Sequence, residues 1–313
     1  MHIPDGFLSA RTAAAAAVLS AGALGVALNV ARSLPRRRVP LMGLTAAFIF
    51  AAQMINFPIA AGTSGHLVGA VLAAVLVGPA AAVVVMSAVL IVQCVLLGDG
   101  GLTALGANIF NMAVAAPVFG YAVYGLISRL LPGTRGRIVA AAFAGWCATV
   151  IAALCCAVEL AFSGIHWVVF PAMINVHLLI GIGEATLTAL ILSAIIRTRP
   201  ELLDASAAEP ARRRMIPLVV AGLLVAIALA VFISPLGSDW PDGLEKVAEH
   251  FGFAASSRTV LPPALGLDSK IRTTAWATAL ASAVGTVLAF GLSLLLARWL
   301  VPNRSAGRNG EHP

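Results

Sequence analysis

Long apolar segments, each near the length that crosses a bilayer, are the feature that most constrains this chain of 313 residues. About 20 consecutive apolar residues span the hydrocarbon core as a helix, and the sequence contains about nine such candidates. In chain order they cover residues 8–31, 41–57, 66–77, 80–97, 104–130, 138–162, 171–196, 216–233 and 273–300. The third is short for a full crossing, so we expect it to be tilted or partly inserted. The sequence therefore predicts an all-α polytopic membrane protein.

The composition supports a membrane protein and excludes an ordinary soluble domain. Hydrophobic residues make up 60% of the chain and charged residues only 11%, whereas soluble domains are about a quarter charged. The net charge of +7 does not indicate nucleic-acid binding, because the basic residues cluster between apolar segments. The four cysteines lie inside apolar segments and are interpreted as small buried residues.

The distribution of Lys and Arg predicts the orientation, since cytoplasmic loops of membrane proteins carry the excess of these residues. With the N-terminus outside, 15 of the 20 basic residues fall on the inner side and five on the outer side. We therefore expect a multi-pass protein of the cell (inner or plasma) membrane, in contact with lipid, with its C-terminus in the cytoplasm. A cleaved signal peptide is not expected, because the first apolar segment ends in a cluster of arginines.

The first two residues, Met1 and His2, form a possible metal chelate. The terminal amine, the backbone nitrogen of His2 and its Nδ1 atom can close a five-membered and then a six-membered ring around one ion. A fourth ligand must come from elsewhere, and all-nitrogen planar coordination favours Ni(II) or Cu(II). The alternative is that His2 is a solvated polar residue near the start of the chain.

His66 is our candidate for the fourth ligand, because it follows an outer loop on the same predicted face as His2. The hydroxyl groups of Thr63 and Ser64 and the flexibility of Gly65 suit a tight turn that directs the imidazole inward. Asn108, near Asp99 and Asn111, belongs to a polar cluster on that face, interpreted as shaping a loop and bonding between helices. Gln53 and Asn56 are possible members of this cluster.

His177 and Glu184 lie seven residues apart within the seventh apolar segment and share a helix face. Ionisable groups inside a span are costly and tend to face a polar interior. They are expected either to pair with each other or to orient a metal ligand, and a purely structural hydrogen bond is the alternative. Glu159 and His166 lie near the outer surface and are left out of the site.

No enzyme motif is present: the chain has no phosphate-binding loop with its lysine, no GxSxG and no HExxH. We therefore expect a protein that is not an enzyme and has no cofactor. Energy for transport must come from a partner or from an ion gradient.

Several motifs resemble one known family, the cobalt/nickel substrate-capture component of energy-coupling-factor transporters, a type of ABC transporter. They are Met1-His2-Ile3-Pro4-Asp5-Gly6, Asn56-Phe57-Pro58-Ile59, Gly62-Thr63-Ser64-Gly65-His66, Gly98-Asp99-Gly100-Gly101, Gly106-Ala107-Asn108-Ile109-Phe110-Asn111-Met112, and His177 with Gly181-Ile182-Gly183-Glu184-Ala185. The resemblance implies a capture domain of about seven helices over residues 1–197, whose N-terminus inserts into its own core. It also implies that Met1, His2 and His66 hold transported Ni²⁺ or Co²⁺, and that a transmembrane coupling subunit and cytoplasmic ATPases are partners.

The C-terminal part resembles the small accessory subunit of the same transporters, with Pro241-Asp242-Gly243-Leu244-Glu245 as its mark. The resemblance implies a cytoplasmic linker at 198–214 and a two-span accessory domain at 215–313 with an outer loop at 234–271. This loop is acidic, and Leu244, Val247, Ala248 and Phe251 fall on one helical face. We expect that face to contact the mouth of the capture domain.

Two further functions remain open from the sequence. An ion-coupled secondary carrier would use His177 and Glu184 as a proton relay. A membrane scaffold or enzyme subunit without transport is the weaker alternative.

Overall fold

The computed structural model describes residues 1–36, 38–60, 62–203, 212–260 and 275–301 as a helical bundle with one small hairpin. The helices are α1 (Ala10–Ala31), α2 (Arg38–Gln53), α3 (Ala70–Val77), α4 (Pro79–Val92), α5 (Leu105–Asn108), α6 (Ala116–Leu130), α7 (Gly133–Phe162), α8 (Val169–Thr198), α9 (Arg212–Ala228), α10 (Gly243–His250) and α11 (Ala275–Leu300). Three wider, π-helical segments extend or join them: Gln93–Leu97 after α4, Ile109–Ala115 between α5 and α6, and Leu229–Ile233 after α9.

Seven helical segments in the described residues are long and apolar enough to cross a membrane. They are Ala10–Ala31, Pro79–Leu97, Leu105–Leu130, Gly133–Phe162, Val169–Thr198, Met215–Leu236 and Ala275–Leu300. The predicted all-α, multi-pass membrane fold is confirmed. The expectation of about nine spans is corrected, because α2 has 16 residues and α3 only eight.

The segment between α2 and α3 explains the short third span. The predicted loop at residues 58–65 contains a two-stranded antiparallel hairpin, β1 (Phe57–Ala60) with β2 (Thr63–Gly65). The chain then runs without regular structure until Gly69, whose left-handed backbone (φ 74°) begins α3. His66 therefore lies before the helix, in a segment that enters the bundle, and not within a membrane-spanning helix.

Helix α4 forms the centre of the bundle, and most of its side chains are buried. Helices α1, α2, α3, α6 and α11 pack around it. The longest helices, α7 and α8, pack along each other, and alanines and Gly145 on the buried face of α7 allow this close approach.

The two C-terminal spans attach to the bundle mainly through α2. A side chain at Gly222 of α9 would meet Leu44, and one at Gly285 of α11 would overlap the ring of Phe50. These glycines let the two helices lie directly against α2. Residues 204–211 of the predicted linker lie outside the described residues, as do residues 261–274, which include Asp268, Lys270 and Arg272. The division into domains stays a prediction.

Replacing Gly285 with Ala is expected to destabilise the chain by about 1–3 kcal/mol, because the added methyl group overpacks a closed helix contact. The matched control is Gly291→Ala on the same helix, where a Cβ meets nothing within 4 Å. Thermal unfolding of the detergent-solubilised variants measures the difference. Equal unfolding midpoints for the two variants would contradict this packing.

Candidate metal-capture site

The N-terminal segment enters the end of the bundle and is held there by its backbone. The Ile3 backbone N–H donates to Oδ1 of Asn108 (2.8 Å), and its carbonyl accepts from Nδ2 of Asn108 (3.0 Å). The same carbonyl accepts from the Gly101 N–H (2.8 Å). Asn108 therefore pairs with both backbone groups of a fully buried residue. The structure gives this residue, predicted to support the site, the role of anchoring the N-terminus.

Asp5 fixes the other end of the segment. One carboxylate oxygen accepts from the backbone N–H of Thr103 (2.7 Å) and from its hydroxyl group (2.5 Å). The Asp5 carbonyl accepts from the backbone of Arg258 (2.8 Å), in the accessory region. Gly101 is needed beside it, since any Cβ there would overlap the Asp5 backbone. The Gly98–Gly101 loop therefore shapes the groove for the N-terminus.

The three predicted metal residues, Met1, His2 and His66, lie together and are buried. The terminal amine is 3.3 Å from Nε2 of His66, and the rings of His2 and His66 stack with centroids 5.3 Å apart. Nδ1 of His2 contacts Oδ1 of Asp99 at 3.3 Å. Within the described part of the chain, no three His, Cys, Asp or Glu side chains group as a metal site of side chains alone.

The orientation of His66 follows from its other contact. Its Nδ1 lies 3.1 Å from the carbonyl oxygen of Leu67. Because a carbonyl only accepts, Nδ1 carries the hydrogen in the neutral ring, and Nε2 presents a lone pair toward the terminal amine. That is the nitrogen a metal at this position would use.

Glu184 holds the segment that follows His66. Its two carboxylate oxygens accept from the backbone N–H groups of Val68 (2.6 Å) and Gly69 (2.9 Å). Gln53 adds a bond from Nε2 to the Val68 carbonyl (2.7 Å). Glu184 does not pair with His177 in the structure. The predicted pairing of Glu184 with His177 is therefore wrong. Glu184 instead bonds the main chain that follows His66.

Ser64 connects the hairpin to the accessory region. Its hydroxyl group donates to the carbonyl of Trp240 (2.6 Å), and its N–H donates to that of Pro241 (2.9 Å). The sequence predicted Ser64 as part of a turn that directs His66. The structure places it in β2, where it holds the outer loop against the capture domain.

Asp242 is the site residue that the sequence reasoning missed. Its carboxylate forms an ion pair with the terminal amine of Met1. It also begins α10, since it accepts from the backbone N–H groups of Leu244 (2.8 Å) and Glu245 (2.9 Å). The Glu245 carboxylate accepts from the backbone N–H of Asp242 (3.0 Å), which completes a capping box. This Asp-x-x-Glu spacing was the signal in the sequence that separates Asp242 from the other acidic residues of the loop.

Helix α10 covers the N-terminal segment with its apolar face. Leu244, Val247 and Ala248 are buried in one cluster with Ile3 and Phe7. The predicted contact between the accessory loop and the mouth of the capture domain is confirmed. The site is thus closed by the N-terminal segment together with α10.

The charges at the site change the pKa values of its groups. Burial lowers the pKa of the Met1 amine, but the Asp242 carboxylate outweighs it and the pKa is raised overall. Burial would raise the pKa of Asp242, yet the amine holds it well below its ordinary value. Burial, together with the charge of the amine, lowers the pKa of His66 to about 3. The metal-free site therefore holds a charged amine next to a neutral imidazole.

Several other predicted residues have different surroundings from those expected. Glu159, placed near the outer surface from the sequence and left out of the site, is buried and accepts from Nδ2 of Asn111 (2.7 Å). Apolar neighbours on a long helix do not show which face is buried. His166 is exposed, as expected. Gln53 bonds Gln93 (2.8 Å) and does not join Asn108.

Comparison with known proteins shows the family of this chain. The family described as the cobalt uptake substrate-specific transmembrane region (CbiM) matches residues 2–202. The chain belongs to this family. The resemblance inferred from the N-terminal and loop motifs is confirmed, and the family is one of metal-uptake proteins.

Relatives extend the match over both parts of the chain. A putative fused nickel transport protein NikMN of Archaeoglobus fulgidus is 36% identical over 308 residues, covering 96% of this chain and 99% of the relative. The fused nickel transport protein NikMN of Rhodobacter capsulatus is 37% identical, covering 84% of this chain and 82% of the relative. A crystal structure of a truncated transition metal transporter shares 36% identity and a TM-score of 0.57, over 63% of this chain and 99% of that one.

Replacing Asp242 with Asn is expected to move the pH midpoint of Ni²⁺ binding down by about one unit, since an opposite charge shifts a neighbouring pKa by this order. A metal must displace the proton of the amine, and the amine keeps its proton to a higher pH beside the carboxylate. The ion pair itself stabilises the fold below the raised pKa of the amine and is lost as the pH rises through it. Asn still caps α10.

Isothermal titration of Ni²⁺ between pH 6 and 9 measures this shift. The control is Asp239→Asn, which removes an exposed charge from the same segment. Identical pH profiles for Asp242→Asn and the parent chain would show that the ion pair does not compete with the metal.

Proposed function

We propose that this chain is the substrate-capture subunit of an energy-coupling-factor ABC transporter that imports Ni²⁺ or Co²⁺. One observation carries the proposal: the terminal amine, His2 and His66 meet at one buried point. Relatives named as nickel transport proteins, aligned over nearly the whole chain, support the class of cargo.

The captured ion would be bound by nitrogen atoms. The amine of Met1, the amide nitrogen of His2 and its Nδ1 atom supply three ligands in one chelate, and His66 supplies the fourth. Binding requires the amine and the His2 amide each to lose a proton to solvent, the amine to leave Asp242, and His2 to turn from Asp99. A planar all-nitrogen set suits Ni²⁺. Asn108 holds the N-terminal segment, Glu184 holds the segment that follows His66, and Ser64 holds the outer loop beside them.

The proposed orientation has the N-terminus outside and the C-terminus in the cytoplasm, as the Lys and Arg distribution favours. The site then opens to the side from which a scarce ion arrives. A transmembrane coupling subunit and cytoplasmic ATPases supply the energy, because the chain has no nucleotide-binding motif of its own.

The competing function, an ion-coupled carrier, depends on His177 and Glu184 as a proton relay. Both oxygens of Glu184 bond backbone N–H groups beside His66. This arrangement favours a structural role for Glu184 over a relay, so the capture subunit is the better-supported proposal.

Radioactive Ni²⁺ uptake into vesicles containing the chain and its partner subunits tests the proposal. We expect uptake to require ATP inside the compartment that holds the ATPases and to persist after a protonophore collapses the proton gradient. A vesicle with partners whose ATPase is inactivated is the control. Uptake that stops with the protonophore and proceeds without ATP would establish the carrier instead.

A further inference from the structure

A small void lies next to Met1, the residue that carries the terminal amine. Its volume is about 10 Å³, and it is lined on its polar side by Met1, His66, Thr149, His177 and Asp242. A void of roughly one probe sphere accommodates a single water, provided that polar groups surround it. Gly243 also lines the void and packs tightly against His177, since a Cβ at this position would lie 2.8 Å from Cε1 of His177.

His177 lines this void and carries a buried acceptor without a partner among the described residues. Its Nδ1 lies 2.7 Å from the carbonyl oxygen of Met173, one turn earlier in α8. The carbonyl only accepts, so Nδ1 carries the hydrogen of the neutral ring and Nε2 has a lone pair. The side chain is 1% exposed, and Nε2 has no hydrogen-bond partner among the described residues. Buried polar atoms of this kind are normally satisfied by protein or by ordered water.

Complementary groups stand on the other walls of the void. The amine of Met1 in its charged form has three N–H donors, and its contacts with Asp242 and His66 account for two. The hydroxyl group of Thr149 donates to the carbonyl of Gly145 (3.1 Å), so its oxygen is left as an acceptor. One water accepting from the amine and donating to Nε2 of His177 and to Thr149 would satisfy all three groups.

We propose that the void holds one ordered water that joins His177 to the terminal amine, and that His177 is thereby a positioning residue for the N-terminal chelate. The water fixes the amine beside His66 before an ion arrives. His177 does not bind the ion itself. Its effect on cargo binding rests on the proposed function, whereas the hydrogen bond to Nε2 does not.

The ¹⁵N resonance of His177 Nε2 tests the water in the metal-free chain. The resonance is assigned by its loss in His177→Gln. We expect the upfield shift of an imidazole nitrogen that accepts a hydrogen bond, and a smaller shift in Thr149→Val, which removes one partner of the water. A resonance at the position of an imidazole nitrogen without a hydrogen bond would overturn the proposal.

Ni²⁺ binding to the full chain tests the positioning role. His177→Leu is expected to lose affinity by about tenfold, and His177→Gln, which keeps an acceptor, to stay within about threefold of the parent. The matched control is Thr188→Val on the same helix, which removes a buried hydroxyl that has no partner in the described part of the chain and does not line the void. It should bind as the parent does.

Two results would overturn the role of His177. Equal losses in the Leu and Gln variants would mean that only ring packing matters, and loss of all binding in both folded variants would make His177 a direct ligand. If the parent chain itself binds no Ni²⁺, the proposed function fails, while the ¹⁵N resonance still decides whether the void holds the water.

Discussion

A positively charged chain terminus lies inside this bundle, and its burial depends on the carboxylate of Asp242. An isolated charge in such a place is strongly unfavourable, so it needs a partner of opposite sign and further hydrogen bonds. Asp242 supplies the negative charge that pairs with the amine, and Asn108 and Gly101 bond the backbone of Ile3. The same contacts set the place where the terminal amine meets His66.

This arrangement makes the two parts of the chain interdependent. Helix α10 shields the N-terminal segment from water with Leu244 and Val247, while its capping residue Asp242 neutralises the amine. The accessory region therefore forms one wall of the capture site. In the proposed function, an incoming ion competes with Asp242 for the amine.

Hydropathy predicted the membrane helices well, because the thickness of the bilayer fixes both their length and their composition. It was less informative for 66–77, where an extended segment precedes a short helix. The motif around Met1 and His2 predicted that these two residues lie near His66, and the structure places them there. Hydropathy could not show that Glu159 is buried, since periodicity is weak when a helix is apolar on all sides.

Contacts between side chains and backbone groups could not be predicted from the sequence either. Glu184 was expected to face another side chain, yet it bonds the main chain of Val68 and Gly69, and every residue offers such donors. The pairing of Met1 with Asp242 spans 241 positions, and several acidic residues of the loop were equally plausible partners. The Asp-x-x-Glu spacing marks Asp242 as the start of a helix, but its pairing with the amine follows from the packing of α10.

The most direct test of the account is a Ni²⁺ titration of the purified chain with its native N-terminus and of one extended by two residues before Met1. Two residues are needed, because a single one would put His third and let the terminal segment alone supply four nitrogens. A chain extended by two residues at its C-terminus is the control. The account predicts one tightly bound ion in the native and control chains and none in the N-terminally extended chain. Equal affinity in all three would contradict an amine-based site.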